Sequence, residues 1–206
     1  MKPHDELQLI AAQIPAGVSV LDVGCGDGQL LQQLSRQGCR GTGVEIELAA
    51  FQAALRAGVS VLALDVDTQL SDFDTNSYEY AVLSRTLQSV KHPKQVLAEL
   101  ARIARYLVVS TPNFAYWRNR AHLLAGRMPM SKDLPFAWYE TPNLHYSSLT
   151  ELEPLFAALE LEPVRRIPLN SRRRPNRLVR FLPNLLASSA VYVLRTPNAD
   201  RARHAD

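Results

Sequence analysis

Cysteine is scarce in this chain: of 206 residues, only Cys25 and Cys39 carry a thiol. One lies in a glycine loop and the other in a Gly-rich turn. That does not make a disulfide framework, so a reduced, cytoplasmic setting is expected. No apolar run approaches the ~18 residues needed for a membrane-spanning helix. The start, Met1-Lys2-Pro3-His4-Asp5-Glu6, lacks the apolar core of a signal peptide. No Cys/His cluster has metal-ligand spacing, and no metal is expected. There is no internal repeat and no linker long enough to separate domains. One domain over 1–200 is therefore expected, with a frayed tail over 201–206. The 47% hydrophobic content is enough to form a core.

Acidic residues are sparse in the second half. Residues 1–103 hold 8 Lys/Arg against 12 Asp/Glu, whereas residues 104–206 hold 15 against 8. Much of the excess lies in Arg165, Arg166, Arg172, Arg173, Arg174, Arg177 and Arg180. The plain reading is a solvated strand edge and loop. The alternative is a docking surface for an acidic partner or phosphate. The segment carries no nucleic-acid motif, and none is expected to bind.

Apolar runs alternate with helical patterns, which predicts an α/β fold. The sheet should be doubly wound, mostly parallel and about seven-stranded. Strands are expected over 19–23, 41–45, 60–64, 79–83 and 106–110. Helices are expected over 7–14, 29–37, 46–56 and 93–105, the last with Pro93 at its first turn. After Pro112 the alternation breaks into an aromatic, Pro-rich insertion over about 114–146, which holds both tryptophans, Trp117 and Trp138. Helical character returns over 114–124. A further helix over 148–159 opens with the capping-box pattern Ser148-Leu149-Thr150-Glu151. Residues 162–169 and 190–195 are expected to be the last strands, an antiparallel pair at the sheet edge.

The richest stretch is Val20-Leu21-Asp22-Val23-Gly24-Cys25-Gly26-Asp27-Gly28-Gln29. It reads as a buried strand turning into a helix through three alternate glycines. A dinucleotide site wants G-x-G-x-x-G. Here the third glycine comes one residue early and Gln29 stands at the required Gly. The Gly-Lys-Ser/Thr ending of a nucleoside triphosphate loop is also missing. The spacing resembles the (D/E)-x-G-x-G-x-G loop of class I methyltransferases, which holds S-adenosylmethionine (SAM) or S-adenosylhomocysteine (SAH).

Ligands of doubly wound sheets bind outside the carboxyl ends of the strands, and acids sit at three of those ends. Asp22 can accept from loop N–H groups or, through water, from the amino group of SAM. Glu45 can accept both ribose hydroxyls. Asp65 can accept from the adenine amino group, with Val66 beside it and Ile46 over an adenine face. Gly24, Gly26 and Gly28 form the loop, and Ser84 and Arg85 fall near the methionine moiety. Candidate bases are His92, His122, His145, Tyr139 and Glu140, with His145 the best placed. Each of these also has an ordinary packing or surface role open to it. The Asn/Asp-Pro-Pro-Tyr element of amino-methylating enzymes does not occur after strand four.

More specific strings narrow the resemblance. Leu83-Ser84-Arg85-Thr86-Leu87-Gln88, Pro112-Asn113-Phe114, Gly126-Arg127-Met128-Pro129 and Trp138-Tyr139-Glu140-Thr141-Pro142-Asn143-Leu144-His145 resemble the bacterial MetW family. The similarity runs from about Val20 to Leu159. Arg85 stands where the family pattern has Gln, and Glu140 where it has Asp. The resemblance implies a methionine-biosynthesis protein acting with or activating homoserine O-acyltransferase (MetX). Two readings follow: an accessory subunit that binds SAM or SAH, or an active methyltransferase on a small acceptor. A SAM-sensing role is a third. A homo-oligomer is compatible with each.

Overall fold

The computed structural model describes residues 4–201. Five parallel strands run β1 (Ser19–Val23), β2 (Arg40–Val44), β3 (Val61–Leu62), β4 (Tyr78–Ser84) and β5 (Ala104–Pro112). Two more, β6 (Glu162–Leu169) and β7 (Ser189–Arg195), complete a sheet of order β3-β2-β1-β4-β5-β7-β6. β7 is antiparallel to both of its neighbours. The expected antiparallel pair is therefore present, but only β6 lies on the edge.

The helices are α1 (His4–Ala11), α2 (Gln29–Arg36), α3 (Leu48–Arg56), α4 (Pro93–Ile103), α5 (Trp117–Leu124) and α6 (Leu149–Ala158). Short turns of helix follow as α7 (Arg177–Phe181), α8 (Pro183–Leu186) and α9 (Asn198–Arg201). None of these is long and apolar enough to cross a membrane.

Successive strand residues point to opposite faces, and both faces are covered. Leu21, Leu83, Leu107 and Tyr192 pack with Leu97 and Leu100 of α4 and Phe156 of α6. Val20, Val82, Val108 and Val191 pack on the other face with Ile10 of α1 and with Leu30 and Leu34 of α2. This is why the central strands read as unbroken apolar runs.

Most departures from the sequence expectation have local causes. α3 begins at Leu48 rather than Ile46 because the Glu47 carboxylate caps it, accepting from Ala49 N and Ala50 N at 3.0 and 2.7 Å. α1 begins earlier than expected and closes at Ala11, with Gln13 N and Ile14 N bonding three residues back before Pro15. α4 stops at Ile103 because Ala104 is already extended, with φ −127° and ψ 154°. α5 starts at Trp117 rather than at 114. The Ser148 hydroxyl caps α6 by accepting from Glu151 N at 3.2 Å. α7, α8 and α9 were not anticipated. Most of the expected tail, 202–206, lies outside the described residues.

The insertion leaves β5 and returns at α6, with its two ends pinned by Phe114 N donating to Ser147 O at 2.9 Å. Leu144 N and His145 N both donate to Gln88 O, at 2.9 and 3.0 Å. These bonds hold the far half of the insertion beside the carboxyl end of β4.

Candidate functional site

After Val23 the chain turns through Gly24, Gly26 and Gly28, with φ of +70°, +57° and +80°. A side chain at Gly24 would meet Thr86, its Cβ lying 2.6 Å from Oγ1. One at Gly28 would run into Val59. Two glycines are thus required by close approach as well as by backbone conformation. The loop is bonded inward: Gly24 N and Cys25 N donate to Val44 O at 2.8 and 3.1 Å, and Gly28 N donates to Cys25 O at 3.0 Å. Gly26 N donates to Glu45 Oε2 at 2.9 Å.

Beside this loop lies a cleft of about 400 Å³ at the carboxyl ends of β1 to β4. Gly24, Glu45, Ile46, Asp65, Val66 and Arg85 line it, as do Thr86 and Pro142. Glu45 is held firmly, because its Oε1 also accepts from Ile46 N and Glu47 N, each at 2.9 Å. A carboxylate offers about four acceptor positions. With three N–H groups already bound, Glu45 has room for about one further donor rather than two. Asp65 closes a tight turn, its Oδ1 accepting from Asp67 N at 2.9 Å. Ile46 is 67% exposed, an apolar side chain standing at the rim of the cleft.

Asp22 is buried, and its Oδ1 has no hydrogen-bond partner. The loop N–H groups expected to reach it are taken by Val44 O and Glu45. Burial, and secondarily the charge of Glu45, pushes its carboxyl up to about 7. The same causes, burial first, then Asp22 and Glu45, push the Cys25 thiol up to about 12. Gly26 and Gly28 shape the loop without lining the cleft. Ser84, the last residue of β4, also stays off the lining, while Arg85, expected beside it, and Thr86 line the cleft.

None of the five candidate bases lines the cleft. His145 lies beside it, its Nε2 3.3 Å from Lys91 O, and lines a separate crevice. Tyr139 is 70% exposed and packs edge-on against Trp138. His92 sits exposed at the start of α4, His122 is exposed on α5, and Glu140 is exposed in the insertion. The crevice at the ends of β4 and β5, bounded by Gln88, Thr111, Leu134, His145 and Tyr146, holds only about 10 Å³. That is at the lower limit for one water molecule.

Arg85 does more than its sequence position suggests. Its guanidinium pairs with Glu6 of α1 at 3.0 Å and with Asp133 of the insertion. Arg173 approaches both carboxylates at 3.6 Å. Glu6 and Asp133 are buried. Burial acts against the Arg85 charge, but the two acids outweigh it and raise its pKa.

Thr86, Asp67 and Pro142 also line the cleft, although their sequence positions do not single them out as ligand contacts. Thr86 donates to Val23 O at 2.9 Å and packs against Gly24. Asp67 accepts from Lys91 N and His92 N, at 3.0 and 2.8 Å, fixing the far wall. Asp67 had a signal, being the third residue of an acid-x-acid turn. Among the described residues, no cluster of His, Cys, Asp or Glu is set to hold a metal.

This sheet order, with a glycine loop after the first strand, is the class I SAM-dependent methyltransferase fold, Rossmann-like in form. A SAM-dependent methyltransferase from Methanosarcina mazei superposes with a TM-score of 0.65 at 19% identity, covering 95% of this chain and 98% of that one. The [4+2]-cyclase SpnF superposes at 0.68 and 17% identity, covering 94% and 81%. The profile of the family described as methionine biosynthesis protein MetW matches residues 4–194, and the chain belongs to that family. A curated relative, the bifunctional methionine biosynthesis protein MetXA/MetW of Rhodopirellula baltica, is 32% identical over 200 residues. The match covers 90% of this chain and 32% of that protein, so the chain spans about a third of the relative's length.

Proposed function

We propose that the cleft holds SAM or SAH, and that the protein works with a homoserine O-acyltransferase in cytoplasmic methionine biosynthesis. The residues present fit the adenosyl ligand. Glu45 is the acceptor for a ribose hydroxyl, Asp65 for the adenine amino group, and Ile46 covers the base. Asp22 does not itself line the cleft, and its unpartnered buried oxygen would meet the ligand's amino group only through water. Arg85 and Thr86 stand toward the methionine end. SAM supplies a methyl group on a sulfonium centre. Joining of a MetW unit to a MetXA unit in the Rhodopirellula protein supports the partnership.

The observation that carries the accessory reading is the contrast between two neighbouring spaces. The cofactor side is open at about 400 Å³, while the crevice beside it is filled to about 10 Å³ by the insertion. A methyl acceptor seated at the ends of β4 and β5 would need that second space, and positioning the nucleophile carries much of such a reaction. The fold also serves chemistry other than methyl transfer, so architecture alone does not decide the activity. The second reading, an active methyltransferase on a small acceptor, is favoured by the cofactor cleft itself, which is lined as a methyl donor would need.

Calorimetric titration with SAM and SAH tests the cofactor. Acyltransferase assays with and without this protein test the partnership. Binding of SAM, increased acyltransferase turnover and no SAH release with a metabolite extract are the expected results. SAH release would move the conclusion to the second reading.

A further inference from the structure

We infer that the exposed apolar face of the 114–146 insertion, together with the basic loop abutting it, is the surface on which the acyltransferase docks, and that the partner meets it with an apolar patch edged by carboxylates. This inference rests on the partnership proposed above and adds where and how the partner binds.

The apolar exposure is concentrated. Met128, Phe136, Trp138 and Tyr146 surround one small depression together with Phe114 and Leu134. Phe136 is 47% exposed, Trp138 70%, and Leu124 of the neighbouring helix α5 91%. Large apolar groups exposed together on a soluble protein mark an interaction site. Trp, Tyr, Met and Arg are the residues enriched there.

The face is also held in place. Ser131 and Leu134 exchange backbone hydrogen bonds at 2.9 and 3.2 Å, and between them Asp133 is buried in its pairing with Arg85 and Arg173. A surface fixed before binding loses less conformational freedom on association.

Charge selects the occupant. Arg118, Arg120, Arg127 and Lys132 are exposed in the insertion, where the only exposed acid is Glu140. The loop carrying Arg173 touches the insertion at Asp133, and its neighbours Arg172 and Arg174 are exposed. A second copy of this chain would bring arginines against arginines across a two-fold axis. A partner with carboxylates around an apolar centre satisfies both features. The exposed aliphatic groups Leu124, Met128 and Met130 favour a protein over a stacked nucleic acid.

The test measures binding of the purified acyltransferase of the same methionine pathway to the full chain and two variants. Phe136→Ser/Trp138→Ala should weaken binding by about 30-fold or more, the scale of losing a hot spot. Arg172→Glu/Arg174→Glu should slow association about tenfold and reduce its salt dependence. SAM titration of each variant, expected unchanged, shows that the variants fold. Equal binding by all three proteins overturns the surface while leaving the partnership standing. No binding by the unaltered protein removes the partnership and this inference with it. A dimer of the unaltered protein broken by Phe136→Ser/Trp138→Ala assigns the face to a second copy. Tight binding of a single-stranded oligonucleotide at physiological salt assigns it to nucleic acid. Either result overturns the proposal.

Discussion

The Glu45 carboxylate accepts the Gly26 backbone N–H at 2.9 Å, so the acid just after β2 braces the glycine loop just after β1. One side chain therefore serves the loop and faces the cleft. Glu45→Ala is expected to weaken SAM and SAH binding by about 1.5–3 kcal/mol, the scale of a hydrogen bond to a charged group. Glu45→Gln keeps an acceptor oxygen and should weaken it less. Unchanged affinity of Glu45→Ala in a calorimetric titration removes Glu45 from the ribose contact.

Asp22 makes stability and binding depend on pH in opposite directions. Its folded value of about 7 lies above the ordinary carboxylate range, so folding favours the neutral acid. That stabilisation is fully present below the unfolded value and is lost as pH rises through about 7. The melting temperature of the free protein should fall between about pH 4 and 7 and level off above, and Asp22→Asn should remove part of that fall. A bound ligand ammonium would instead favour the carboxylate. SAM affinity should therefore rise across the same window, with proton release visible as a buffer-dependent heat. Identical pH profiles for the Asp22→Asn variant and the unaltered protein would exclude this account.

Gly24→Ala places a methyl group against Thr86 at a positive φ. Destabilisation of about 1–3 kcal/mol is expected, from both backbone strain and overpacking. Thr86→Ala in the same chain relieves the contact but not the φ, so urea melts should show partial recovery. Full recovery would mean that the backbone at Gly24 is unstrained by a side chain.

Arg85→Ala strips the main partner from two buried acids. Removing one side of a buried ion pair costs about 3–5 kcal/mol. The nearby Arg173 and the partial exposure of Arg85 place the expected loss at the lower end. Limited proteolysis should cut the insertion faster in this variant, because Asp133 no longer anchors it. Unchanged melting and cleavage would show that the pairing is not a tether.

Cys25 should be inert in the folded protein. With its pKa near 12, only about one thiol in 10⁴ is ionised at pH 8. Iodoacetamide should leave Cys25 unlabelled until denaturant is added, as read by mass spectrometry. Rapid labelling of the folded chain contradicts the burial.

The strands were legible because apolar runs buried on both faces leave an unbroken signal, as in Leu107-Val108-Val109. The glycine loop was legible from spacing alone, and Glu45 and Asp65, which line the cleft, from their places just after β2 and β3. What escaped the sequence depends on contacts between distant segments. Nothing local marks Arg85 as the partner of Glu6 and Asp133, 79 and 48 residues away. The unbonded state of Asp22 follows from Val44 O and Glu45 having taken the loop donors. His145 looked central because its segment returns to the sheet, yet it is held by Gln88 and Lys91 beside the cleft. The short helices α7 and α8 were hidden because arginines and Pro183 dominate a stretch too brief to show a period.

The position of β7 bears on how the chain is made. It is the last strand in order, yet it lies between β5 and β6. During synthesis, β5 stands complete, with its Leu-Val-Val run and one unpaired edge, for about eighty residues before its neighbour emerges. An apolar edge left open that long invites pairing with another nascent chain. Expression yield and chaperone dependence should therefore respond most strongly to changes in β7, none of whose residues lines the cofactor cleft.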